Sequence, residues 1–84
     1  MNGARQVLTY RLSDGEVQEQ IAALFALANE MTVHSITRGL DRYLIIECGA
    51  DDARSVYELV MTYDHDAVLI DAASVPVAFV PSQA

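Results

Sequence analysis

Six side chains in this sequence have the chemistry of metal ligands, since carboxylates, imidazoles and thiolates bind most protein metals: Asp14, His34, Cys48, Asp51, Asp52 and His65. We expect these residues to lie in loops and strand ends that gather at one end of a β-sheet. The predicted strand order, however, sets His34 and His65 on opposite edges of that sheet, roughly 14 Å apart. Because Zn–N bonds are only ~2 Å long, two histidines at that separation cannot hold one ion. The sequence therefore predicts no metal site within a chain and leaves open one shared between subunits.

Catalytic groups are also missing from the expected positions. Cys48 has no histidine near it in the sequence, and its acidic neighbours would not lower the pKa of its thiol. Asp51 and Asp52 stand at a helix start, where both carboxylates are hydrated, whereas paired-carboxylate catalysis needs one acid in a dry pocket. The chain has no lysine, which excludes Schiff-base chemistry and P-loop phosphate binding. We therefore expect no enzyme activity, no catalytic residue and no cofactor.

The loop before the first predicted helix could instead bind a small zwitterion. Its ammonium group would pair with Asp14, and its carboxylate would accept hydrogen bonds from loop N–H groups. The alternative is that the carboxylates at this helix start only cap the helix and meet water. Arg38 and Arg42 flank a turn that we expect at the opposite end of the sheet. Asp41 lies between them, which favours a local ion pair over an anion clamp.

Charge and composition exclude several classes of partner. Twelve acidic residues oppose five arginines, for a net charge of −7, and such a chain repels phosphate backbones and anionic lipid. We expect neither nucleic acid nor membrane as a partner. The first residues contain no apolar signal region, and Cys48 has no second cysteine to pair with. These features favour a reducing cytoplasm.

Strands and helices alternate along the chain. Residues 5–12 alternate polar and apolar side chains, which predicts a strand with Leu8, Tyr10 and Leu12 on one face. Ser13 and Glu16 have the spacing of a capping box, and a helix should follow to about Asn29. The apolar residues at helical spacing in that segment predict its buried stripe, with Gln18, Glu19 and Asn29 in water: Val17, Ile21, Leu24 and Ala28.

The second half repeats the pattern. Residues 33–38 and 43–48 predict two strands joined by a short turn, hence an antiparallel hairpin. Asp51 or Asp52 should cap a second helix ending near residue 63, and residues 67–71 predict a fourth strand. The apolar face of this helix is expected from four residues: Val56, Leu59, Val60 and Tyr63. The order β-α-β-β-α-β over residues 1–84 predicts one α+β domain of the ferredoxin-like type, with sheet order 4-1-3-2 and both helices on one face.

Residues 5–74 resemble an ACT-type domain, a ferredoxin-like module that binds amino acids in metabolic regulation. The resemblance lies in the polar loop 13–15, its spacing to residues 33–36, and the hairpin at 37–42. It implies a regulatory domain standing alone, with an effector beside the first strand–helix loop, often at a dimer interface. By position, the implied ligand-binding residues are Asp14, Gly15, Val33 and His34.

The sheet face turned away from the helices is expected to carry an apolar patch. Leu8, Leu12, Leu44, Ile46, Val68 and Ile70 should face the helices, so alternation turns four others outward: Val7, Tyr43, Ile45 and Leu69. A monomer does not normally leave such a patch in water, so either the apolar tail at residues 75–80 folds over it or another subunit covers it. We expect a homo-oligomer, most simply a dimer, whose interface uses these four residues or pairs the edge strands. Two functions remain: an amino-acid-binding regulatory module, or an oligomeric interaction module without a small-molecule ligand.

Overall fold

The computed structural model describes residues 4–28 and 31–75, and within them the predicted order of elements is confirmed. Three elements form the first half: β1 (Arg5–Leu12), α1 (Gly15–Ala26) and β2 (Thr32–Arg38). Four form the second: β3 (Asp41–Gly49), a 3₁₀ turn (Ala50–Asp52), α2 (Ala53–Tyr63) and β4 (Val68–Val75). Asn29 and the tail beyond residue 75 lie outside the described residues.

The four strands form one antiparallel sheet in the order β2-β3-β1-β4, which confirms the predicted order and the ferredoxin-like fold. β2 and β3 are joined by the two residues Gly39 and Leu40. Gly39 has a φ of +60°, which side chains disfavour, and a positive φ at the first central residue is typical of a type II′ hairpin turn. Glycine is therefore the residue that this connection requires.

One continuous core lies between the sheet and both helices, which shows that the helices share one face. Strand residues supply most of it, together with Ala67 in the turn before β4: Leu8, Tyr10, Leu12, Leu44, Ile46 and Cys48. Each helix adds two: Ile21, Phe25, Val56 and Val60. In α2 the prediction is correct for Val56 and Val60, while Tyr63 is 42% exposed.

The buried face of α1 differs from the predicted stripe. Ile21 is fully buried as expected, but Phe25 and Gln18 are buried with it, and Leu24 is 39% exposed. Gln18 was expected in water. Its side-chain amide instead donates to the carbonyl oxygens of Ile36 at 3.2 Å and Tyr43 at 3.0 Å. The polar side chain is accommodated in the interior because two backbone acceptors meet it there.

The prediction that the polar loops share one end of the sheet is wrong. Leu12 pairs with Arg42 and Arg11 with Val68, so the β1–α1 loop lies at the end of the sheet that also holds the β2–β3 hairpin and the α2–β4 turn. We call this the hairpin end. Cys48, Asp51 and Asp52 lie at the opposite end, where β1 begins and Arg5 pairs with Gly49. Each helix carries the chain back along the sheet, so β1 and β2 both begin at this opposite end, whereas β3 and β4 both begin at the hairpin end.

Candidate functional site

The open face, the side of the sheet turned away from both helices, carries a contiguous group of apolar side chains that are partly or largely in contact with water. We define it by six residues: Val7, Ile36, Tyr43, Ile45, Val68 and Ile70. Ile36, Val68 and Ile70 are 38%, 43% and 47% exposed, and the other three are partly buried. Strand alternation places these side chains together, since residues directly opposite in an antiparallel pair share a face.

A shallow depression of about 280 Å³ lies in this face. Its lining is apolar at the centre, with one arginine: Thr9, Ile36, Arg38, Tyr43, Ile45 and Ile70. A concave apolar surface of this kind is suited to receiving side chains from another protein surface.

A β-bulge determines which residues of β4 reach the open face. The pairing shifts between Thr9 and Tyr10, because Thr9 lies opposite Asp71 and Tyr10 opposite Leu69. Ile70 is the extra residue, and both Ile70 and Asp71 lie on the open face. Leu69 shares the helix-side face with Tyr10, so its predicted place beside Val7, Tyr43 and Ile45 is wrong. Val68 and Ile70, expected on the helix side, were likewise assigned to the wrong face.

Charged and titratable groups surround the apolar centre. On the β2 edge, His34 pairs in register with Ile45, and Arg38 lies four residues further along. On the β4 edge, Asp71 lies opposite Thr9. Near the start of β1, Arg5 forms an ion pair with Glu47 at 3.5 Å. Asp41 lies opposite Arg38, and Arg11 lies diagonal to Asp71, so among the described residues His34 and Asp71 are the ionisable side chains on the two edges that have no opposite charge directly across the strand pair.

A second candidate site lies at the hairpin end, where the β1–α1 loop meets the start of β3. Asp14 is the N-cap of α1 and accepts a hydrogen bond from the backbone N–H of Glu16 at 2.9 Å. Gly15 packs so closely under Arg42 that an added Cβ would come within 2.9 Å of the guanidinium carbon. This places a cation, an exposed carboxylate and the N-terminus of a helix at one corner of the molecule.

The other two residues implied by the ACT resemblance do not join this corner. Val33 pairs with Ile46, and His34 with Ile45, in the middle of β3. Since Ile46 lies opposite Leu8 and Arg42 opposite Leu12, four residues or about 13 Å of strand separate Val33 from the corner. Asp14 and Gly15 therefore form no common site with Val33 and His34 inside one chain.

Ser13 does not cap α1 as predicted, and instead makes a contact with a residue distant in the sequence. Ser13 was predicted to accept from Glu16, but its N–H and its hydroxyl each donate to Asp64 at 2.8 Å. The N–H of Asp66 adds a third hydrogen bond at 3.0 Å. Burial alone raises the pKa of the Asp64 carboxyl. The hydrogen bonds, together with the charge of His65, outweigh burial and hold this pKa below its usual range. Asp64 thus ties the end of α2 to the end of β1.

Two reactive groups are buried in the core. Cys48 is fully buried, and burial, then Asp52, raises the pKa of its thiol. Burial also raises the pKa of Tyr10 to about 12, with smaller effects from Cys48 and Tyr57. A protonated thiol and a protonated phenol in a dry core are not accessible nucleophiles.

Neither a metal site nor a membrane-spanning helix is found within the described residues. No three His, Cys, Asp or Glu side chains come together there as ligands of one ion. Both described helices are too short to cross a bilayer.

The fold is similar to that of the stable protein CutA1 from the psychrotrophic bacterium Shewanella sp. SIB1, with a TM-score of 0.60. The match covers 98% of this chain and 89% of CutA1, at 12% sequence identity. No protein-family model matches the sequence, and no curated protein is detectably similar to it. At this identity the likeness shows the ferredoxin-like fold alone, and it does not favour the ACT type in particular.

A second depression, of about 410 Å³, lies on the helical layer. It is lined by three residues of α1, the C-cap of that helix (Leu27) and one residue of α2: Gln20, Ala23, Leu24, Leu27 and Tyr63. Sequence reasoning missed it because Leu24 and Tyr63 were assigned to the buried faces of their helices. The 82% exposure of Leu27 shows how little of this groove is covered by the described residues.

Proposed function

We propose that this chain is a non-catalytic binding module that acts as a homodimer, joined through the open face. The observation that carries the proposal is the contiguous group of exposed apolar side chains on that face, with Ile36, Val68 and Ile70 each more than one-third exposed. A small soluble domain does not usually leave such a group in water. Burying it against an identical surface is the commonest solution among oligomers.

The size of the face fits a dimer contact. Four strands ~4.8 Å apart, with eight residues each on average, present a surface of roughly 19 by 26 Å. Two such surfaces would remove on the order of 1,000 Å² in total, which is the lower bound for a specific interface. The alternative contact, pairing of the edge strands β2 or β4, would leave these apolar side chains exposed.

Replacing Ile45 with lysine tests the open-face dimer. Ile45 lies at the centre of the face and outside the core, so the charge should weaken association at least about tenfold without unfolding the subunit. Leu40→Lys is the matched control, since Leu40 is 94% exposed at the hairpin turn. Sedimentation velocity should find the wild type and Leu40→Lys at twice 9.2 kDa and Ile45→Lys at 9.2 kDa. A wild-type monomer at ~50 µM would refute the proposal.

The absence of catalysis is part of the same proposal. Cys48 is buried with a raised thiol pKa, which removes the chain's one thiol from nucleophilic chemistry. A single buried thiol also suits a reducing cytoplasm, where we place the protein. The net charge of −7 disfavours nucleic acid and anionic membranes as partners.

Binding of an amino acid at the hairpin end is the second candidate function, in keeping with the ACT resemblance. The observation that favours it is the Arg42 guanidinium against Gly15, beside the exposed Asp14. Arg42 would bind the carboxylate of the amino acid, and Asp14 its ammonium group. Val33 and His34 would contribute only from a neighbouring subunit.

A thermal screen of the twenty amino acids tests this second function. One of them should raise the melting temperature by several degrees, and Arg42→Gln should abolish that shift. Arg54→Gln is the control, since the Arg54 side chain is 89% exposed on α2. Asp14→Ala removes a helix cap as well as the proposed ligand contact, so it lowers the melting temperature even without ligand. Its ligand-induced shift is therefore measured from the melting temperature of the same variant without ligand. No shift with any amino acid would refute the site and leave the dimer proposal intact.

A further inference from the structure

We infer that the two subunits are related by a two-fold axis parallel to the strands, which pairs His34 with Asp71 of the partner subunit. The inference rests on the proposed function and names how a second copy occupies the open face. In this arrangement β2 of one subunit lies over β4 of the other, and β3 lies over β1.

His34 and Asp71 lie in the same row of the sheet. His34 pairs with Ile45, Ile45 with Thr9, and Thr9 with Asp71. All four residues therefore share the open face. Three strand spacings, about 14 Å, separate His34 from Asp71 within one chain, so the two side chains cannot meet there. A two-fold axis along the strands exchanges the two edges and sets each residue over the other.

The other two-fold arrangement brings like groups together. An axis across the strands lays β2 over β2 and β4 over β4. If this axis passes through the row of His34 and Asp71, Asp71 approaches Asp71 of the partner subunit, and His34 approaches His34 of the partner subunit. Like charges across an interface oppose association, whereas opposite charges favour it and fix the orientation. The placement of His34 on the β2 edge and Asp71 on the β4 edge thus favours the axis along the strands.

The neighbouring charges do not replace this pair. On its own sheet, His34 has Glu47 diagonally beside it on β3, already paired with Arg5, and Arg38 four residues along β2. Asp71 has Arg11 one row away on β1. Packed sheets cross at about 30°. For side chains ~7 Å to the side of the two-fold axis, this crossing shifts facing groups relative to each other by about 4 Å along the strands, or about one residue. His34 and Asp71 of the partner subunit remain within reach.

The sign of the pH dependence of dimerisation distinguishes the two arrangements. Acidification adds a positive charge to a histidine side chain. With the axis along the strands, protonated His34 meets a carboxylate, so two equivalent pairs should tighten the dimer about three- to tenfold between about pH 8 and about pH 6. With the axis across the strands, the same protonation would weaken it.

Dissociation constants at the two pH values, measured by sedimentation equilibrium, provide the test. His34→Gln and Asp71→Asn should each remove the tightening. His65→Gln is the matched control for the chain's second histidine, in the α2–β4 turn, and should retain it. Circular dichroism melts of each variant establish that the subunits remain folded.

A dimer that weakens on acidification, or tightens equally in His34→Gln, overturns this arrangement while leaving the open-face dimer standing. A wild-type protein that is monomeric at both pH values refutes the proposed function itself. The exchange of both residues, His34→Asp with Asp71→His, should restore the wild-type tightening. Its failure in a folded dimer would also overturn the pairing.

Discussion

Ser13 and Asp64 are joined by two hydrogen bonds of 2.8 Å, one to each oxygen of the carboxylate, across 51 positions of the chain. Asp64 is only 5% exposed, so this carboxylate depends on its donors for the interactions that water would otherwise give. The contact fixes the turn before β4 to the loop after β1, and so aligns the hairpin end of the sheet.

Asp64→Asn should lower the free energy of unfolding by about 2 kcal/mol at neutral pH, because an amide nitrogen would face the donors of Ser13. The folded-state pKa of Asp64 lies below the usual value of ~3.9, so its stabilisation is present above about pH 4 and is lost as the pH falls through the folded pKa. Urea unfolding at several pH values should show the gap between wild type and Asp64→Asn closing in acid. Asp66→Asn, on an exposed neighbour, should show neither effect.

Tyr10→Phe should leave stability within about 0.5 kcal/mol of the wild type or raise it. The Tyr10 hydroxyl is buried and has no hydrogen-bond partner among the described residues. Its burial therefore costs a desolvation free energy that no hydrogen bond offsets. Tyr57→Phe, whose ring lies 6.4 Å away and is 44% exposed, is the control. A loss above about 1 kcal/mol in Tyr10→Phe would show that the hydroxyl is satisfied, most simply by an internal water.

Gln18→Met should cost about 1–2 kcal/mol, since it keeps the length of the side chain but removes the donor shared by the carbonyl oxygens of Ile36 and Tyr43. Gln20→Met, on the exposed side of α1, should change stability by less than about 0.5 kcal/mol. Equal effects of the two substitutions in chemical denaturation would contradict the assigned role of Gln18.

Ile21→Asp should unfold the domain or nearly so. Ile21 is fully buried, and an unpaired charge there costs several kcal/mol against a total stability of about 5 kcal/mol. Leu24→Asp, three residues along the same helix, should melt cooperatively near the wild-type temperature, because Leu24 is already 39% exposed. A folded Ile21→Asp together with an unfolded Leu24→Asp would reverse the helix face described above.

The elements, their order and the sheet order could be predicted because each depends on local patterns and on one rule of handedness. The faces of β1 and β3 were also predictable, since Leu8, Leu44 and Ile46 follow strict alternation. The face of α1 was not, because Gln18 becomes a core residue only through two carbonyl acceptors on distant strands. The prediction that Ser13 caps α1 was wrong for a similar reason, since the hydrogen-bond partner of Ser13 is 51 positions away.

The candidate sites depended on features that no local pattern contains. Arg42 and Gly15 are far apart in the sequence, and only the direction of β3 brings the guanidinium over the β1–α1 loop. The faces of β4 could not be read by alternation because the bulge at Ile70 breaks it. Val68 and Ile70 consequently escaped prediction, although Val7, Tyr43 and Ile45 were assigned correctly.

The bulge in β4 has a consequence for how this sequence can change in length. Ile70 is the extra residue between the pairs Thr9–Asp71 and Tyr10–Leu69, so its deletion would restore regular alternation. Leu69 and Ala72 would keep their orientation toward the helices, and Asp71 would stay on the other side. A one-residue deletion in a strand ordinarily turns every following side chain to the wrong face. Here relatives one residue shorter in β4 would retain the same interior while losing one apolar contact from the surface.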